Sequence, residues 1–494
     1  MVKDDFSVLM LSWEFPPRIV GGISSHVNDL SLALAKKGIS VHVVTCDFPG
    51  APEYEEIQGV CVYRFDSYKI PAYSFLSWVL SMNQKMIQRA MEVIDAHYGK
   101  VDLIHAHDWL VADAAIRLKD FYGKPLVSTM HSTEAGRRGG IRNDYQMTIN
   151  EVERRLVNES SKVICCSNYM ANQISETFNF PREKISVIRN GVNVSKFSIK
   201  IDAQAVKRRY AEPNEKMVVY VGRLVHEKGV HVLIGAVPKV LDVLPNVKFV
   251  IVGEGGMKEY LLKEAWDFGV SDHVFFTGFV DESMLVSLYK ASDVAVFPSL
   301  YEPFGITALE AMAAKVPVVV SDTGGLSEIV EHDKTGVKVY PDNSDSVAWG
   351  ILKVLKDQAF ANKIRENAYQ NVVENYNWDK IAEETIKVYR EGVTLAQPRI
   401  VAKYRVEFPS FKFDSYPDEF RVLLSLYTLG AIDSEHARSA EELSSILRIK
   451  VNKILRLLQK LISSGYIETS IDHLKRLRYH LTKSGIIKAC SLFS

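Results

Sequence analysis

The chain has 494 residues, too many for one hydrophobic core, so its length predicts several domains. Its 60 lysines and arginines balance its 60 aspartates and glutamates, which excludes a chain built as a whole to coat a polyanion. The five cysteines include no C-x-x-C pair, which favours buried free thiols in a reducing compartment. With no signal-peptide pattern and no apolar stretch long enough to span a bilayer, the sequence predicts a cytoplasmic protein without a transmembrane segment.

The first part of the chain alternates short β-rich runs with helical patterns. Amphipathic stretches such as 23–37, which ends at Gly38, lie between the runs. Continuous apolar strands joined by helical crossovers predict a parallel sheet covered on both faces. The seven candidate strands are VLMLSW, VHVVTC, VCVYRF, DLIHAH, LVSTMH, VICCS and SVIRN.

The same rhythm begins again after the segment NGVNVSKF. Five further strand patterns follow, namely MVVYVGR, KFVIVGE, VFFTGF, DVAVFPS and PVVVSD. We therefore predict an α/β protein with two Rossmann-like, doubly wound domains, residues 1–192 and 193–377, and a hinge near residues 193–211. Because ligands bind beyond the carboxyl ends of such strands, two facing sheets should form a deep cleft between them.

The segment PSLYEPFGITALEAM is the strongest functional signal. Glu302 and Glu310 are separated by seven residues, after a predicted strand and around a helix that should begin near Gly305. The first helical amides, of Ile306 and Thr307, are then free donors at the positive end of the helix dipole, which is a ready phosphate site. A helix with an acidic start would explain Glu302 alone, but not the Pro-Phe-Gly that lets the backbone approach a ligand.

Two cations follow the first strand of the second domain, in VGRLVHEKG. Arg223 and Lys228 fall on the loop at the carboxyl end of that strand. Taken alone they would be surface charges. At the same sheet edge as Glu302 and Glu310, they can stabilise developing negative charge without a metal.

Polar groups also follow three strands of the first domain. Gly21 and Gly22, in PPRIVGG, allow close backbone approach where a helix begins. His107 and Asp108 follow the fourth strand, and His131 follows the fifth. Any one of these histidines could be a core residue, but all three positions converge on one edge of the sheet. No His/Cys spacing typical of zinc and no Asp-x-Asp occurs, so we expect no metal.

Together these segments resemble the retaining glycosyltransferases of family 4, which have the GT-B fold, over roughly residues 6–392. They are also similar to the glycogen and starch synthases of family 5. The Glu-x7-Glu motif in EPFGITALE is the most specific match, and GRLVHEKG, IRNGVN and SDTGGLSEIV match as well.

The resemblance implies a role for each candidate residue. Glu302 would bind the hydroxyls of the donor sugar, Glu310 the ribose, and His131 would contact the donor sugar as the active-site histidine. Arg223 and Lys228 would hold the diphosphate. The remaining candidates would bind the donor or line the acceptor side; they are Gly21, Gly22, Ile306, Thr307 and Asn190 for the donor, and His107 and Asp108 for the acceptor.

The resemblance also implies a reaction. The expected reaction transfers a hexosyl group, glucose being the expected sugar, from ADP-glucose or UDP-glucose to an α-glucan, with no other cofactor. Two departures from the glucan synthases favour family 4: RIVGG stands in place of Lys-x-Gly-Gly, and the second glutamate, Glu310, is present. A glycolipid or small-solute acceptor therefore stays open, as does a non-catalytic sensor of sugar nucleotides.

The last part of the chain has a different pattern. Residues 378–392 resemble the closing helix with which such transferases return to their first domain, residues 393–415 indicate a linker, and residues 416–494 resemble a winged-helix domain. From Ala437 to the end, eleven Lys and Arg stand against four Asp and Glu, a net charge of +7. The pattern leaves two roles open, a docking or dimerisation domain that makes the chain a homo-oligomer and a nucleic-acid-binding module. The basic residues of the longer helix and the hairpin are Lys450, Lys453, Arg456, Lys460, Lys475, Arg476 and Arg478.

Overall fold

The computed structural model describes residues 6–67, 70, 72, 74–97, 100–199, 201–396, 417–429, 431, 434, 436–472 and 475–490. The chain divides into two compact units, Met1–Arg399 and Ile400–Ser494. Across these described ranges, no helix combines the length and the apolar character needed to cross a membrane.

The first half of the larger unit is built on an eight-stranded sheet. Its strands are β1 Ser7–Leu11, β2 Ser40–Cys46, β3 Tyr54–Ile57, β4 Val60–Phe65, β5 Leu103–His107, β6 Leu126–Met130, β7 Lys162–Cys165 and β8 Ile185–Val187. They lie in the order β3-β4-β2-β1-β5-β6-β7-β8, with β1 and β5 at the centre. Every pairing is parallel except that of β3 with β4 at the edge.

Helices cover both faces of this sheet, which is why its central strands are apolar along their whole length. Every residue of β1, β5 and β6 is buried. The helices are α1 Gly22–Lys36, α2 Phe75–Ala96, α3 Ala112–Tyr122, α4 Glu134–Arg138, α5 Asp144–Glu159 and α6 Asn168–Phe178. The short helix that follows, α7 Ala203–Lys207, packs instead against the helix Glu282–Ala291 of the second half.

The second half of the larger unit contains a six-stranded, fully parallel sheet. Its strands are β9 Lys216–Val221, β10 Val247–Val252, β11 Val274–Gly278, β12 Val294–Phe297, β13 Val318–Ser321 and β14 Val337–Val339, in the order β11-β10-β9-β12-β13-β14. The helices that follow are α8 Val230–Leu241, α9 Lys258–Asp267, α10 Glu282–Ala291, α11 Ile306–Ala313, α12 Leu326–Ile329, α13 Ser344–Lys356, α14 Gln358–Asn375 and α15 Trp378–Leu395. The prediction of two Rossmann-like domains is confirmed.

Helix α15 packs against the first sheet. Its Tyr389 hydroxyl lies 2.7 Å from Nδ1 of His105 on β5, and Asp379 pairs with Lys36 of α1 at 3.0 Å. The helix continues to Leu395 and still buries Gly392 in its last turn. The prediction that a linker begins at residue 393 is therefore wrong for residues 393–395, which belong to the helix. Most of the predicted linker lies outside the described residues.

The smaller unit contains three helices, a hairpin and a last helix. They are α16 Asp418–Thr428, α17 Ala440–Leu447, α18 Val451–Ser463, β15 Ile467–Ile471, β16 Leu477–Leu481 and α19 Lys483–Cys490. The strands β15 and β16 pair antiparallel. The two helices, the turn and the hairpin thus occur in the predicted order.

The buried face of α18 lies beside the apolar stripe that its sequence shows. Val451, Leu455, Leu458 and Ile462 recur at helical spacing, but only Leu458 of these is buried, while Leu455 is 41% and Ile462 37% exposed. Ile454 and Leu461 are the other buried positions. Helix α16 packs on another flank of α18, where Lys460 pairs with Glu419 at 2.6 Å.

Candidate active site

Two helix N-termini face each other between the two sheets. Gly22 is the first residue of α1, in the first half, and Ile306 is the first residue of α11, in the second half. A Cβ on Gly22 would lie 3.0 Å from Cδ1 of Ile306, so the two helices begin almost in contact. Both N-termini present the positive end of a helix dipole to the space between the halves, an arrangement that favours anions.

The backbone around α11 needs its glycine. Gly305, the N-cap of α11, has φ of +111°, a conformation that an L side chain rarely adopts. A Cβ there would lie 2.6 Å from Cδ2 of Leu326. Among the described residues, the amides of Ile306 and Thr307 find no hydrogen-bond acceptor.

Lys228 and Glu302 form one ion pair at this point of the cleft. Lys228 Nζ lies 2.6 Å from Oε2 of Glu302, and Oγ of Ser299 donates to the same oxygen at 3.1 Å. Glu302 is only 8% exposed. Both contacts go to one carboxylate oxygen, so the pair fixes the orientation of the carboxylate and leaves Oε1 to accept from a bound hydroxyl.

Arg223 brings positive charge from the second half towards the glycine loop of the first. Its half-exposed side chain lies 3.5 Å from Oε1 of Glu227. Its charge is also one of the influences that oppose the burial-driven rise in the pKa of Glu14, which lies behind the glycine loop. The second cation of the predicted pair thus acts electrostatically across the boundary between the two halves.

Glu14 is a buried acid that sequence reasoning missed. Its Oε2 accepts from the amides of Val20 at 2.6 Å and Gly21 at 3.0 Å, so the carboxyl group shapes the loop that leads into α1. Burial raises the pKa of Glu14 to about 7, against the opposing effects of these amides and of Arg18 and Arg223. The sequence signal that could have identified Glu14 is its position between a buried strand and a glycine pair, in WEFPPRIVGG.

Glu310 lies on α11 in a partly buried position. The hydroxyl of Tyr289 donates to its Oε2 at 3.4 Å. Burial raises the pKa of Glu310 to about 7, while Lys196 and the Tyr289 hydroxyl oppose that shift. The second glutamate of the motif is therefore less strongly paired than the first.

Three histidines lie together beside the cleft. His107 Nδ1 is 3.3 Å from His131 Nε2, and the ring of His26, on α1, is centred 4.8 Å from that of His131. Burial lowers the pKa of all three. His131 is partly exposed, but His107 is fully buried, so it lies behind His131 and does not line an acceptor surface as expected. The sequence did not single out His26.

Asp108 begins a network of buried carboxyl groups. Its φ is +67° and burial raises its pKa to about 6, with Arg137 as the largest opposing influence. Arg137 also contacts Glu134 at 3.0 Å and Glu153 at 3.1 Å. Three acids around one guanidinium keep Asp108 in place. It is 3% exposed, so it supports the cleft wall more than it forms it.

Asn190 lies under the same part of the cleft. It is 3% exposed, and its Oδ1 has no hydrogen-bond partner among the described residues. Its side chain faces the His26 ring and favours the protonated form of that ring. It therefore belongs to the histidine group more than to the donor's phosphates.

The two halves touch next to the candidate residues. The hydroxyl of Tyr301, the residue before Glu302, donates to Gln173 Oε1 at 2.9 Å and accepts from the amide of Thr133 at 3.4 Å. A Cβ on Gly136 would lie 2.4 Å from the Tyr301 ring. Glu302 is thus brought to the part of the first half that follows His131.

Two facing Rossmann-like sheets, with helix N-termini and a fixed lysine–glutamate pair where they meet, form the GT-B fold of the glycosyltransferases. The model for glycosyl transferases group 1 matches residues 202–371, and the model for Glycosyltransferase Family 4 matches residues 20–196.

Similar proteins and a similar solved structure indicate the same family as these two models. An uncharacterized glycosyltransferase of Methanocaldococcus jannaschii is 42% identical over 387 residues, covering 78% of this chain and 97% of the relative. Glycogen synthase of Mycobacterium tuberculosis is 36% identical over 409 residues, covering 80% of this chain and 97% of the relative. The structure of sucrose-phosphate synthase from Thermosynechococcus elongatus has a TM-score of 0.68 at 25% identity, and the match covers 78% of this chain and 98% of that protein.

This chain belongs to the group 1 and family 4 glycosyltransferases. It is a transferase that uses a nucleotide sugar, related to glycogen synthase and sucrose-phosphate synthase.

Proposed function

We propose that this transferase moves a glucosyl group from ADP-glucose or UDP-glucose to an α-glucan, with retention of the anomeric configuration. The observation that carries the proposal is the pair formed by Lys228 and Glu302, a buried carboxylate with one oxygen fixed and the other left for a sugar hydroxyl. The similarity to a mycobacterial glycogen synthase supports glucose and a glucan as the transferred group and the acceptor.

The diphosphate of the donor binds between the N-termini of α1 and α11. Gly21 and Gly22 let the backbone of the first half approach it, and the amides of Ile306 and Thr307 donate from the second half. Arg223 and Lys228 stabilise the charge that develops as the diphosphate leaves. This proposal includes no metal and no cofactor other than the donor.

The carboxylates position the rest of the donor. Glu302 accepts from hydroxyls of the sugar, and Glu310, weakly paired with Tyr289, accepts from the ribose. His131, the partly exposed member of the histidine group, contacts the sugar from the first half. Its ring is neutral because burial lowers its pKa, so one nitrogen can donate while the other accepts.

The reaction exchanges one bond for another at C1 of the sugar. The bond from C1 to the diphosphate oxygen breaks, and C1 bonds to the acceptor oxygen. The acceptor hydroxyl loses its proton to the departing diphosphate, which lies on the same face of the sugar when configuration is retained.

A donor and acceptor screen tests this proposal. The purified chain is incubated with ADP-, UDP- and GDP-glucose and with maltodextrin, a small phosphorylated sugar or a glycolipid, and products are detected by mass and their anomers by NMR. Extension of maltodextrin with an α-linkage is the expected result, lost in Glu302→Ala but kept in Glu366→Ala, which changes an exposed glutamate of α14 that pairs with Lys315. Products only on a glycolipid or a small sugar overturn the glucan acceptor, and tight donor binding without turnover overturns catalysis.

For the smaller unit, we propose self-association rather than nucleic-acid binding. Its basic residues are largely paired inside the unit: Lys453 with Asp418, Lys460 with Glu419, and Arg478 with Glu442 at 3.1 Å. Such pairs reduce the charge available to phosphates. On the other flank of α18, Leu455 and Ile462 are exposed apolar side chains.

The oligomeric state of the full chain tests the second proposal. Light scattering should show a dimer, and Leu455→Ser combined with Ile462→Ser should yield a monomer, whereas Thr469→Ser, at an exposed position of the hairpin, should not. A monomeric wild type contradicts self-association. Salt-dependent binding of duplex DNA by the same sample would instead support the nucleic-acid role.

A further inference from the structure

The histidine group of His26, His107 and His131 has the composition of a metal site. One ring nitrogen from each residue lies within 4.8 Å of the nitrogens from the other two. The three come from different elements: His26 from α1, His107 from the end of β5, and His131 from just after β6. The fold therefore brings together three imidazoles that are far apart in the sequence.

The group contains more hydrogen-bonding capacity than the described residues use. Neither ring nitrogen of His26 has a hydrogen-bond partner, and Nε2 of His107 has none either. His26 is 4% exposed and His107 is fully buried. A buried polar atom without a partner is rare in a folded protein and indicates a water or an ion at that place. Here three such atoms belong to two neighbouring rings.

Two buried acceptor oxygens belong to residues next to the group. Asp108 follows His107 directly, is 3% exposed, and leaves Oδ1 without a partner among the described residues. The side chain of Asn190, which interacts with the His26 ring, also leaves its oxygen without a hydrogen-bond partner in this part of the chain.

We propose that His26, His107 and His131 bind one divalent transition-metal cation, and that zinc is the ion they suit best. Imidazole nitrogens suit zinc, copper and nickel, whereas calcium and magnesium prefer oxygen. Three histidines with a fourth position left for water are a known zinc arrangement in enzymes.

Only small movements separate the group from a coordination sphere. With zinc–nitrogen bonds of about 2.0–2.1 Å, ligand nitrogens lie roughly 3.4 Å apart. The His107–His131 pair, at 3.3 Å, already has this separation, and binding would exchange the hydrogen bond between these two rings for two bonds to the metal. His26 must approach by about an ångström or more and would give up its contact with the Asn190 side chain in doing so.

Binding here should inhibit the enzyme. This consequence depends on the proposed function, in which His131 contacts the donor sugar. A cation bound to the His131 ring takes the nitrogen that would face the sugar, so metal binding and donor binding compete. The protein would then be a transferase that works without a metal and is switched off by zinc.

Cobalt provides a readout that does not depend on activity. The full chain, treated with chelator and dialysed, is titrated with Co²⁺, and visible d–d absorption of a four- or five-coordinate ion is expected to saturate at one ion per chain. Zinc should displace it. His26→Gln should weaken binding by roughly 10- to 100-fold, whereas His42→Gln, which changes a buried histidine that pairs with His97 instead, should leave binding unchanged.

The outcomes separate the site from the proposed function. Absence of any saturable cobalt spectrum in the wild type overturns the site without reference to a variant's folding, and loss of binding in His42→Gln but not in His26→Gln places the metal elsewhere. His107→Asn serves as a second variant if His26→Gln does not fold. Metal binding without inhibition of sugar transfer would leave the site in place and contradict only the role given to His131.

Discussion

Lys228 Nζ lies 2.6 Å from Glu302 Oε2, so the cation assigned to the diphosphate and the carboxylate assigned to the sugar form one pair. Each orients the other before the donor arrives. The change of either residue should therefore disturb the binding of both parts of the donor.

We expect Glu302→Ala to lower kcat/KM by ~10² or more, because the hydroxyl contacts of a preorganised carboxylate strengthen in the transition state. Lys228→Ala should be severely impaired as well, and the double variant should lose less than the sum of the two, since the pair acts as a unit. Steady-state kinetics of the three variants measure this. Additive losses would mean that the two residues act separately.

Activity should survive a strong chelator. In the proposed site, Arg223, Lys228 and the helix amides supply the positive charge that a divalent cation supplies in other transferases. The measurement is initial rates before and after exhaustive chelation, with an inert salt as the control. Loss of activity with recovery on adding magnesium or manganese contradicts the arrangement.

Gly22→Ala should raise KM for the nucleotide sugar by about tenfold or more, because a methyl group would occupy the narrow space where the two helices begin. The Cβ would lie 3.0 Å from Ile306 Cδ1. Combining it with Ile306→Ala removes that contact but leaves the methyl group in the phosphate site, so the defect should persist. Full recovery in the double variant would show that the glycine serves only the packing of the two helices.

Glu14 should make the protein less stable as the pH rises. Burial raises its pKa from 4.5 to about 7, so the stabilisation is fully present below the unfolded value and is lost as the pH rises through the folded value. The change amounts to about 3 kcal/mol at most. Glu14→Gln removes the titration, so the difference in melting temperature between variant and wild type should shift in favour of the variant between about pH 5 and pH 7.5. An equal difference at both pH values contradicts it.

Donor binding should close the cleft further. In the proposed arrangement the donor and acceptor sides belong to different halves, and Tyr301 is one of the side chains that join the halves near the motif. Small-angle scattering should show compaction when a nucleoside diphosphate is added, and Tyr301→Ala should compact less. An identical radius of gyration with and without nucleotide would indicate a permanently closed cleft.

Sequence reasoning predicted what depends on order along the chain. Parallel strands put their carboxyl ends on one edge, so the positions of Lys228, Glu302 and Gly22 followed from the strand pattern. The strand β3 was missed because its sequence YEEI lies at an exposed edge and needs no apolar run. The strand β14 was also missed, because it has only three residues and forms no recognisable apolar run.

Contacts between elements could not be predicted in the same way. That Tyr301 packs on Gly136 depends on how two sheets face each other, and no local pattern encodes it. His26 lies on a helix face that looks like any other buried face, and its neighbours come from β5 and β6. Which apolar flank of α18 is covered has the same origin, because it depends on where the partner helix packs.

The return of α15 to the first sheet has a mechanical consequence. The chain crosses between the halves near Val192 and again near Tyr376, and the amide of Val192 donates to the carbonyl of Tyr376 at 3.0 Å. Two crossing segments that are hydrogen-bonded to each other form a double-stranded hinge. Such a hinge permits rotation of one half relative to the other about a single axis and resists rotation about other axes. A pull applied to residues 6 and 395 would load the first half alone, because both positions belong to it, and the donor half would swing without bearing tension.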